Sequence, residues 1–355
     1  VMNMNINIEK YKDKGLTGLA NLGNTCFINS CVQILSHTYE LNEFLNLQTY
    51  KRKLNKKFDS VLLLEWDNLR NIMWSQNCII SPGKFLMTIK KMAQLKKRDI
   101  FTGYSQNDLP EFLLFLVDCF HSSLAREVNM SISGTSVNSV DELAVKCFNM
   151  IKTMYSKEYS EIWDMFYGIH VSQIISLDTD STQALSTTPE PFFMINLPIP
   201  PHSENKSPTL SDCFDLYVAG EIMEGDNAWY NEATQEKQRV QKKILYWSLP
   251  NILVIDLKRF NAQNRKNQIL VTFPLENLDL SKYVIGYKKE QYQYDLYGIC
   301  NHSGGVYGGH YTAFVKNANG KWYEFNDTFV KEVTDLSKLI SVMAYCFFYR
   351  KKTVA

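Results

Sequence analysis

Residues 15–35 read GLTGLANLGNTCFINSCVQIL, and this run decides the fold because it joins a glycine-punctuated approach, a polar helix start and an apolar helix. Ile28, Cys31, Val32 and Leu35 recur at helical spacing, and Asn24 or Thr25 stands where an N-cap belongs, so Cys26 falls in the first helical turn. There the free N–H groups and the helix field favour a thiolate. An unpaired cysteine is more often a packed core thiol. What shifts the balance is Asn21, five residues upstream; a turn brings its carboxamide beside the same centre, where it can donate to a developing oxyanion.

Working outward, the residues before this run are polar and Asn-rich. Downstream lie further helical patterns. Val61, Leu64, Asn68 and Ile72, broadened by Leu69 and Met73, suggest a helix from Val61 to Trp74, and Ser81-Pro82 announces another toward Leu95. In SQNDLPEFLLFLVDCFH, Asp108 and Glu111 stand three apart, so Asp108 is expected to cap and Glu111 to approach the helix start, with Pro110 tolerated in the first turn. Leu113, Leu116, Val117 and Phe120 form its apolar stripe, and a further helix begins near Asp141. Strand-like runs then take over at 170–177, 192–197, 244–249, 252–260, 294–300, 311–316, 321–325 and 344–350, with a short helix at 209–217. The pattern is α+β, a helical part followed by a β-rich part.

Composition narrows the function classes. The 355 residues are 45% apolar and 21% charged, enough for a large core, and 38 basic against 37 acidic side chains leave a net charge of +1. No strong excess marks a polyanion binder. The basic runs YKRKLNKKF and KKMAQLKKR read as solvated faces, so no nucleic-acid partner is expected. No apolar run approaches a membrane span, and the first fourteen residues do not form a signal or transit pattern. Eight cysteines without close CxxC spacing are expected to be reduced thiols in an intracellular protein, cytoplasmic or nuclear.

A nucleophilic cysteine needs a base. His310 lies in GGVYGGHYTAFV, where Gly304, Gly305, Gly308 and Gly309 permit a close-approaching loop before a strand. Asn326 and Asp327 follow the nearby WYEF strand and are placed to return toward the ring. Cys26 and His310 stand 284 residues apart, a separation that two lobes can close.

GLANLGNTCFINSCVQIL, YSQNDLPEFLLFLVD, LPNILVIDLKRF and YGGHYTAFVKNANGKWYEFND together resemble the catalytic domain of the ubiquitin-specific proteases, papain-like deubiquitinating cysteine proteases, over residues 15–350. The resemblance implies a right-hand architecture with a helical thumb (15–165), fingers drawn mainly from 166–248 and a β-rich palm including 249–350. It implies Cys26 as nucleophile, His310 as general base, Asn326 as the residue that orients it, Asp327 as support or co-orienter, and Asn21 as oxyanion donor. Asp108 and Glu111 match acidic positions for the basic part of the ubiquitin tail, and Gly304, Gly305, Gly308 and Gly309 line the path of its diglycine end. The loops Asn261–Asn267 and Asn301–Gly309 match the pair expected to gate the cleft. Pro110 stands where the family often has Gln, and Asn at 326 is an accepted family variant.

Many relatives carry two CxxC zinc pairs in the fingers; here the corresponding residues are SLDT (Ser176–Thr179) and NEAT (Asn231–Thr234), and neither Cys213 nor Cys300 restores the spacing. No zinc and no other cofactor is therefore expected. The implied partners are ubiquitin and ubiquitinated proteins, acted on by a monomer. A protease for another ubiquitin-like modifier and a catalytically weak ubiquitin-binding scaffold are the alternatives.

Overall fold

Along the strand Ile252–Leu257, Ile252 and Val254 face one apolar cluster while Leu253, Ile255 and Leu257 face another, and Phe347 and Tyr349 alternate with Cys346 and Phe348 in the same way. This period of two means that a central sheet is buried on both sides. The computed structural model describes residues 6–103, 105, 107–178, 184–201, 206–305 and 308–353.

The chain begins with β1 (Gly18–Leu19) and the helices α1 (Cys26–Ser36), α2 (Tyr39–Asn46) and α3 (Asp59–Ser75), followed by β2 (Ile79–Ile80), which pairs in parallel with β1. Then come α4 (Gly83–Leu95), α5 (Leu109–Leu124), α6 (Ser139–Tyr155) and α7 (Glu161–Phe166). The β-rich part comprises β3 (Gly168–Ser176), β4 (Ala184–Phe192), β5 (Met194–Leu197), α8 (Leu210–Ala219), β6 (Glu221–Met223), β7 (Trp229–Asn231), β8 (Glu236–Gln238), β9 (Val240–Ser248) and β10 (Ile252–Leu257). It ends with β11 (Leu278–Asp279), β12 (Gln293–Gly305), β13 (Gly308–Lys316), β14 (Trp322–Asn326), β15 (Phe329–Val333) and β16 (Ala344–Lys351).

Among the described residues the central sheet runs β15-β14-β13-β12-β16-β10-β5, with β11 beside β12, and all of its pairings are antiparallel except β10 with β5. The helices before β3 other than α6 cover one face, α8 with residues 271–284 covers the other, and α6 packs against β3 and β9 of the outer sheet. A second sheet, β4-β3-β9-β6, extends outward, and β7 and β8 form a small hairpin. The span 166–248 is thus divided, because β5 leaves the outer sheet and pairs with β10.

Three expectations are corrected. The buried face of α3 is Leu62, Leu63, Trp66, Leu69 and Met73, whereas Val61 and Ile72 are 39% and 51% exposed. Asp67 and Arg70 also lie on the buried face and bond each other at 2.5 Å, with Tyr50 donating to Asp67. Those polar side chains mask the true stripe. Strand β4 escapes the sequence pattern because it carries Pro189 and Pro191, which an edge strand tolerates. Finally, 301–305 is not loop: β12 continues to Gly305 and β13 restarts at Gly308.

Every residue of α1 is buried, as a helix between two layers must be. Most of its polar groups find partners: Gln33 donates to the Thr17 carbonyl at 2.7 Å and Ser36 accepts from Trp74 at 2.9 Å, while the side-chain oxygens of Asn29 and Gln33 have none among the described residues. All eight cysteines are free thiols. Among the described residues no helix is long and apolar enough to cross a membrane.

Candidate active site

Because α1 lies across β12, β13 and β14, its first turn reaches the strand that carries His310. Cys26 is 3% exposed, and the main-chain N–H of Tyr311, the residue after His310, favours its thiolate. Burial nevertheless dominates and pushes the thiol above its ordinary range, and the charge of Asp327 adds to the rise. The thiolate therefore needs a cation beside it.

His310 sits on β13, and Asn326 ends β14. Nε2 of His310 and Oδ1 of Asn326 are 2.7 Å apart, so the ring is held through Nε2 and Nδ1 is left for chemistry. Two antiparallel strands joined by a short turn supply this pairing, and the 16-residue separation is the path out along one and back along the next. His302, on β12, has a different environment. Lys266 donates to its Nδ1 at 3.0 Å and to its carbonyl at 2.6 Å, and burial with that neighbouring charge lowers its pKa to about 4. It stays neutral.

Asp327 adopts a left-handed conformation, with φ of 51°, and does not bond the histidine. Its carboxylate accepts from Asn21 at 3.0 Å and from Asn29 at 2.8 Å, while its carbonyl accepts the Leu19 N–H at 2.8 Å. The expectation that Asp327 shares the orientation of His310 gives way to a clamp between the 19–21 segment and α1. Asn21 is fixed at both ends, since its Oδ1 accepts from the N–H groups of Gly23 and Thr25 at 3.1 and 3.2 Å. Thr25 is the N-cap of α1 without a side-chain capping bond; its hydroxyl accepts the Leu22 N–H instead. Asn29 was missed in the sequence, although its place three residues after Cys26 puts it one turn along the same helix face.

A cavity of about 840 Å³ adjoins Tyr311 and is lined by Asp108, Glu111, Asp256, Arg259, Phe260 and Tyr345, among others. Asp108 occupies the N-cap position of α5 but makes no side-chain capping bond. The expected reciprocal cap fails because Tyr345, on β16, donates to its carboxylate at 2.9 Å. Asp108 lines the cleft as an exposed residue, and the surrounding protein still desolvates its carboxylate enough to raise its pKa despite that bond. Glu111 is exposed in the first turn.

The four glycines divide. A Cβ on Gly304, whose φ is +90°, would stand 2.5 Å from the Gly308 carbonyl, and one on Gly309 would stand 2.3 Å from the Ser303 carbonyl and 2.5 Å from the His302 ring. Those two need to be glycines for the sake of the hairpin itself, a reason the sequence reading did not supply. Gly305 lines the cavity, and a Cβ on Gly305 or Gly308 meets no described atom within 4 Å.

At the outer sheet, Ser176 accepts the Asp178 N–H, Asn231 donates to Gln238, and Gln238 donates to Thr234; Thr179 lies outside the described residues. Among the described residues no three His, Cys, Asp or Glu side chains converge as a metal set.

The sequence matches the ubiquitin carboxyl-terminal hydrolase family over residues 17–349. It is 34% identical to ubiquitin carboxyl-terminal hydrolase Usp2 of Drosophila melanogaster over 346 residues, which cover 96% of this chain and 35% of that protein. Against ubiquitin carboxyl-terminal hydrolase 2 of Bos taurus the identity is also 34% over 346 residues, with 95% and 55% coverage. The chain thus spans about half or less of the length of these curated relatives. In fold it is similar to a chain of the SAGA Ubp8/Sgf11/Sus1/Sgf73 DUB module bound to ubiquitin aldehyde, with a TM-score of 0.72, 24% identity, and 97% of this chain and 71% of that one covered. The chain belongs to the ubiquitin carboxyl-terminal hydrolase family, with the α+β fold of its papain-like proteases.

Proposed function

We propose that this chain is a deubiquitinating cysteine protease that hydrolyses the isopeptide or peptide bond after the C-terminal glycine of ubiquitin. The observation that carries the reading is the 2.7 Å pair of His310 Nε2 and Asn326 Oδ1 on the strand whose next N–H, that of Tyr311, serves the Cys26 sulfur. A nucleophile and an oriented base thus adjoin Tyr311, which lines a cleft roomy enough for an extended peptide tail.

In this mechanism His310 takes the Cys26 proton, and the imidazolium supplies the cation that the desolvated thiolate needs. The sulfur attacks the glycine carbonyl carbon, and the carbonyl electron pair moves onto oxygen. Asn21 spends one amide N–H on Asp327 and has a second for that oxyanion, fixed in direction before substrate arrives. Collapse of the intermediate breaks the C–N bond, and His310 protonates the departing amine. Water, deprotonated by His310, then cleaves the thioester and restores the thiol.

The helical part, 15–165, acts as thumb, the outer sheet within 166–248 as fingers and 249–350 as palm, with the globular body of ubiquitin on the fingers and its tail between thumb and palm. The enzyme works as a monomer in the cytoplasm or nucleus, without a metal or cofactor. The test is a panel of ubiquitin and ubiquitin-like proteins carrying a C-terminal electrophile. Covalent capture of ubiquitin on Cys26, absent in Cys26→Ala, is expected. Capture of only another modifier, or no capture by folded protein, overturns the reading.

A further inference from the structure

In β10 the residues at 252 and 254 face the helical layer, so the same alternation turns residue 256 toward it. That residue is aspartate. Asp256 lines the cavity, and its Oδ1 is buried without a hydrogen-bond partner among the described residues. No neighbouring cation bonds that oxygen. Nε and Nη1 of Arg259 donate to the carbonyls of Ala344, Asn267 and Ile269 at 2.8, 3.0 and 2.9 Å, and Lys258, just past the strand end, is exposed and acts on Asp256 only through its charge, which favours the carboxylate. An apolar side chain would suit this sheet position better.

We infer that Asp256 is a specificity-determining residue of the cleft, whose carboxylate accepts a cationic side chain from the modifier's C-terminal tail between β10 and Asp108. The inference rests on the proposed function for the identity of the modifier. Its own support is geometric: Asp256, which carries a buried oxygen without a partner among the described residues, lines the same cavity as Asp108 and Glu111, so a cation entering there meets carboxylates from two walls. Burial first, and then the charge of Asp108, raises the pKa of Asp256 to about 7. An arriving guanidinium or ammonium offsets both causes with its opposite charge, and the carboxyl ionises as it pairs. Such a site favours a cation and gives little to a neutral tail.

The groups facing Asp256 leave this titration identifiable. Across the cleft, α5 presents Asp108 and Glu111, and β16 presents Tyr345 beside Asp108. Cys346 of β16 and Asn196 of β5 flank it in the sheet; the thiol is pushed well above its ordinary value by burial. His302 is held near 4, Tyr311 is raised by burial, and Arg259, lowered to about 10 by burial, and Lys266 remain charged near neutrality.

The experiment uses the whole chain and two ubiquitin substrates with one fluorogenic leaving group, the first with its cationic tail and the second with the tail arginines replaced by glutamine. Asp256→Asn is expected to raise KM for the cationic tail about tenfold with kcat within about twofold, and to leave both constants for the neutral tail unchanged. Asp256→Glu should recover part of the loss. For the wild type, KM for the cationic tail falls between about pH 6 and about pH 8 as the carboxylate becomes available, and this dependence is absent in Asp256→Asn. Equal losses on both substrates, or none on either, overturn the inference. If the wild type turns over neither substrate, the proposed function fails. Calorimetry with synthetic cationic and neutral tail peptides then decides the role of Asp256: preference for the cationic peptide that Asp256→Asn abolishes upholds it, and equal binding of both peptides by the wild type rejects it.

Discussion

The polar cluster around Cys26 and the cavity beside Tyr311 are built on different principles. Around Cys26 the polar groups that set the geometry are joined, Asn21 and Asn29 to Asp327, His310 to Asn326, Thr25 to the 21–22 turn, and only the side-chain oxygen of Asn29 is left without a partner among the described residues there. Around the cavity, a buried oxygen of Asp256 and Nη2 of Arg259 lack partners among the described residues, and Asp108 is held by one tyrosine hydroxyl. The difference teaches what each region awaits. A reaction centre is preorganised so that nothing need reorient as charge develops, whereas a recognition cleft leaves polar groups to be completed by what it binds, at a cost in stability while empty.

The largest effects should come from breaking the preorganised cluster. Cys26→Ala is expected to abolish turnover with the fold intact, and His310→Ala to lower kcat by about 10³-fold or more, both measured by steady-state hydrolysis beside circular dichroism. Wild-type turnover by the cysteine variant would remove the nucleophile assignment and with it the contrast between the two regions.

Next in size is the clamp. Asn21→Ala and Asp327→Ala should each lower kcat by about 10²-fold, and the double variant should be little worse than either, because Asp327 acts through the amide it positions. Independent, multiplying losses would show that Asp327 does something else. Asp327→Ala should also lower the melting temperature more than Asn21→Ala, since it additionally frees Asn29.

At the cavity, Asp256→Asn should stabilise the free protein. The folded-state pKa, about 7, lies above the ordinary carboxylate value of 3.8. The folded form therefore holds its proton more tightly, and stability is lost as pH rises from about 4 to about 7. The variant should exceed the wild type by on the order of 2 kcal/mol at pH 8, with the gap closing toward pH 4, as read by denaturant unfolding across pH. A gap that does not vary with pH would refute this account of the empty cleft.

The smallest effects are expected where the structure shows solvent or turn bonds. Glu111→Gln, at an exposed position, should change kcat/KM by less than about threefold, and by less than Asp108→Asn does. Prolonged chelation should change neither activity nor melting temperature, because Asn231, Thr234 and Ser176 are occupied in turn bonds. Loss of folding on chelation would require a different ligand set.

Much was legible in local pattern. The first turn of α1, the strands carrying His310 and Asn326, and the acidic start of α5 all follow from spacing within about twenty residues. Misreadings arose where distant partners outbid local rules. Asp108 is positioned to cap its own helix, but Tyr345, 237 residues away, takes its carboxylate. The apolar Val61 and Ile72 turn outward because Asp67 and Arg70 satisfy each other, with Tyr50, on the inner face of α3. Asp256 interrupts the alternation of β10, a signal visible in ILVIDL, yet only a cavity gives it meaning.

The sequence by itself determined the elements, the α+β class, and which thiol, imidazole and carboxamides belong to one motif set, because helical and strand periods and turn chemistry act over short range. Only tertiary structure decided which groups meet. Asp327 clamps Asn21 and Asn29 rather than His310, Gly304 and Gly309 are required by the hairpin, and Asp256 and Asp108 line one cleft. Hydrogen bonds, steric contact and burial depend on separation in space, and that separation is set when two lobes close around α1.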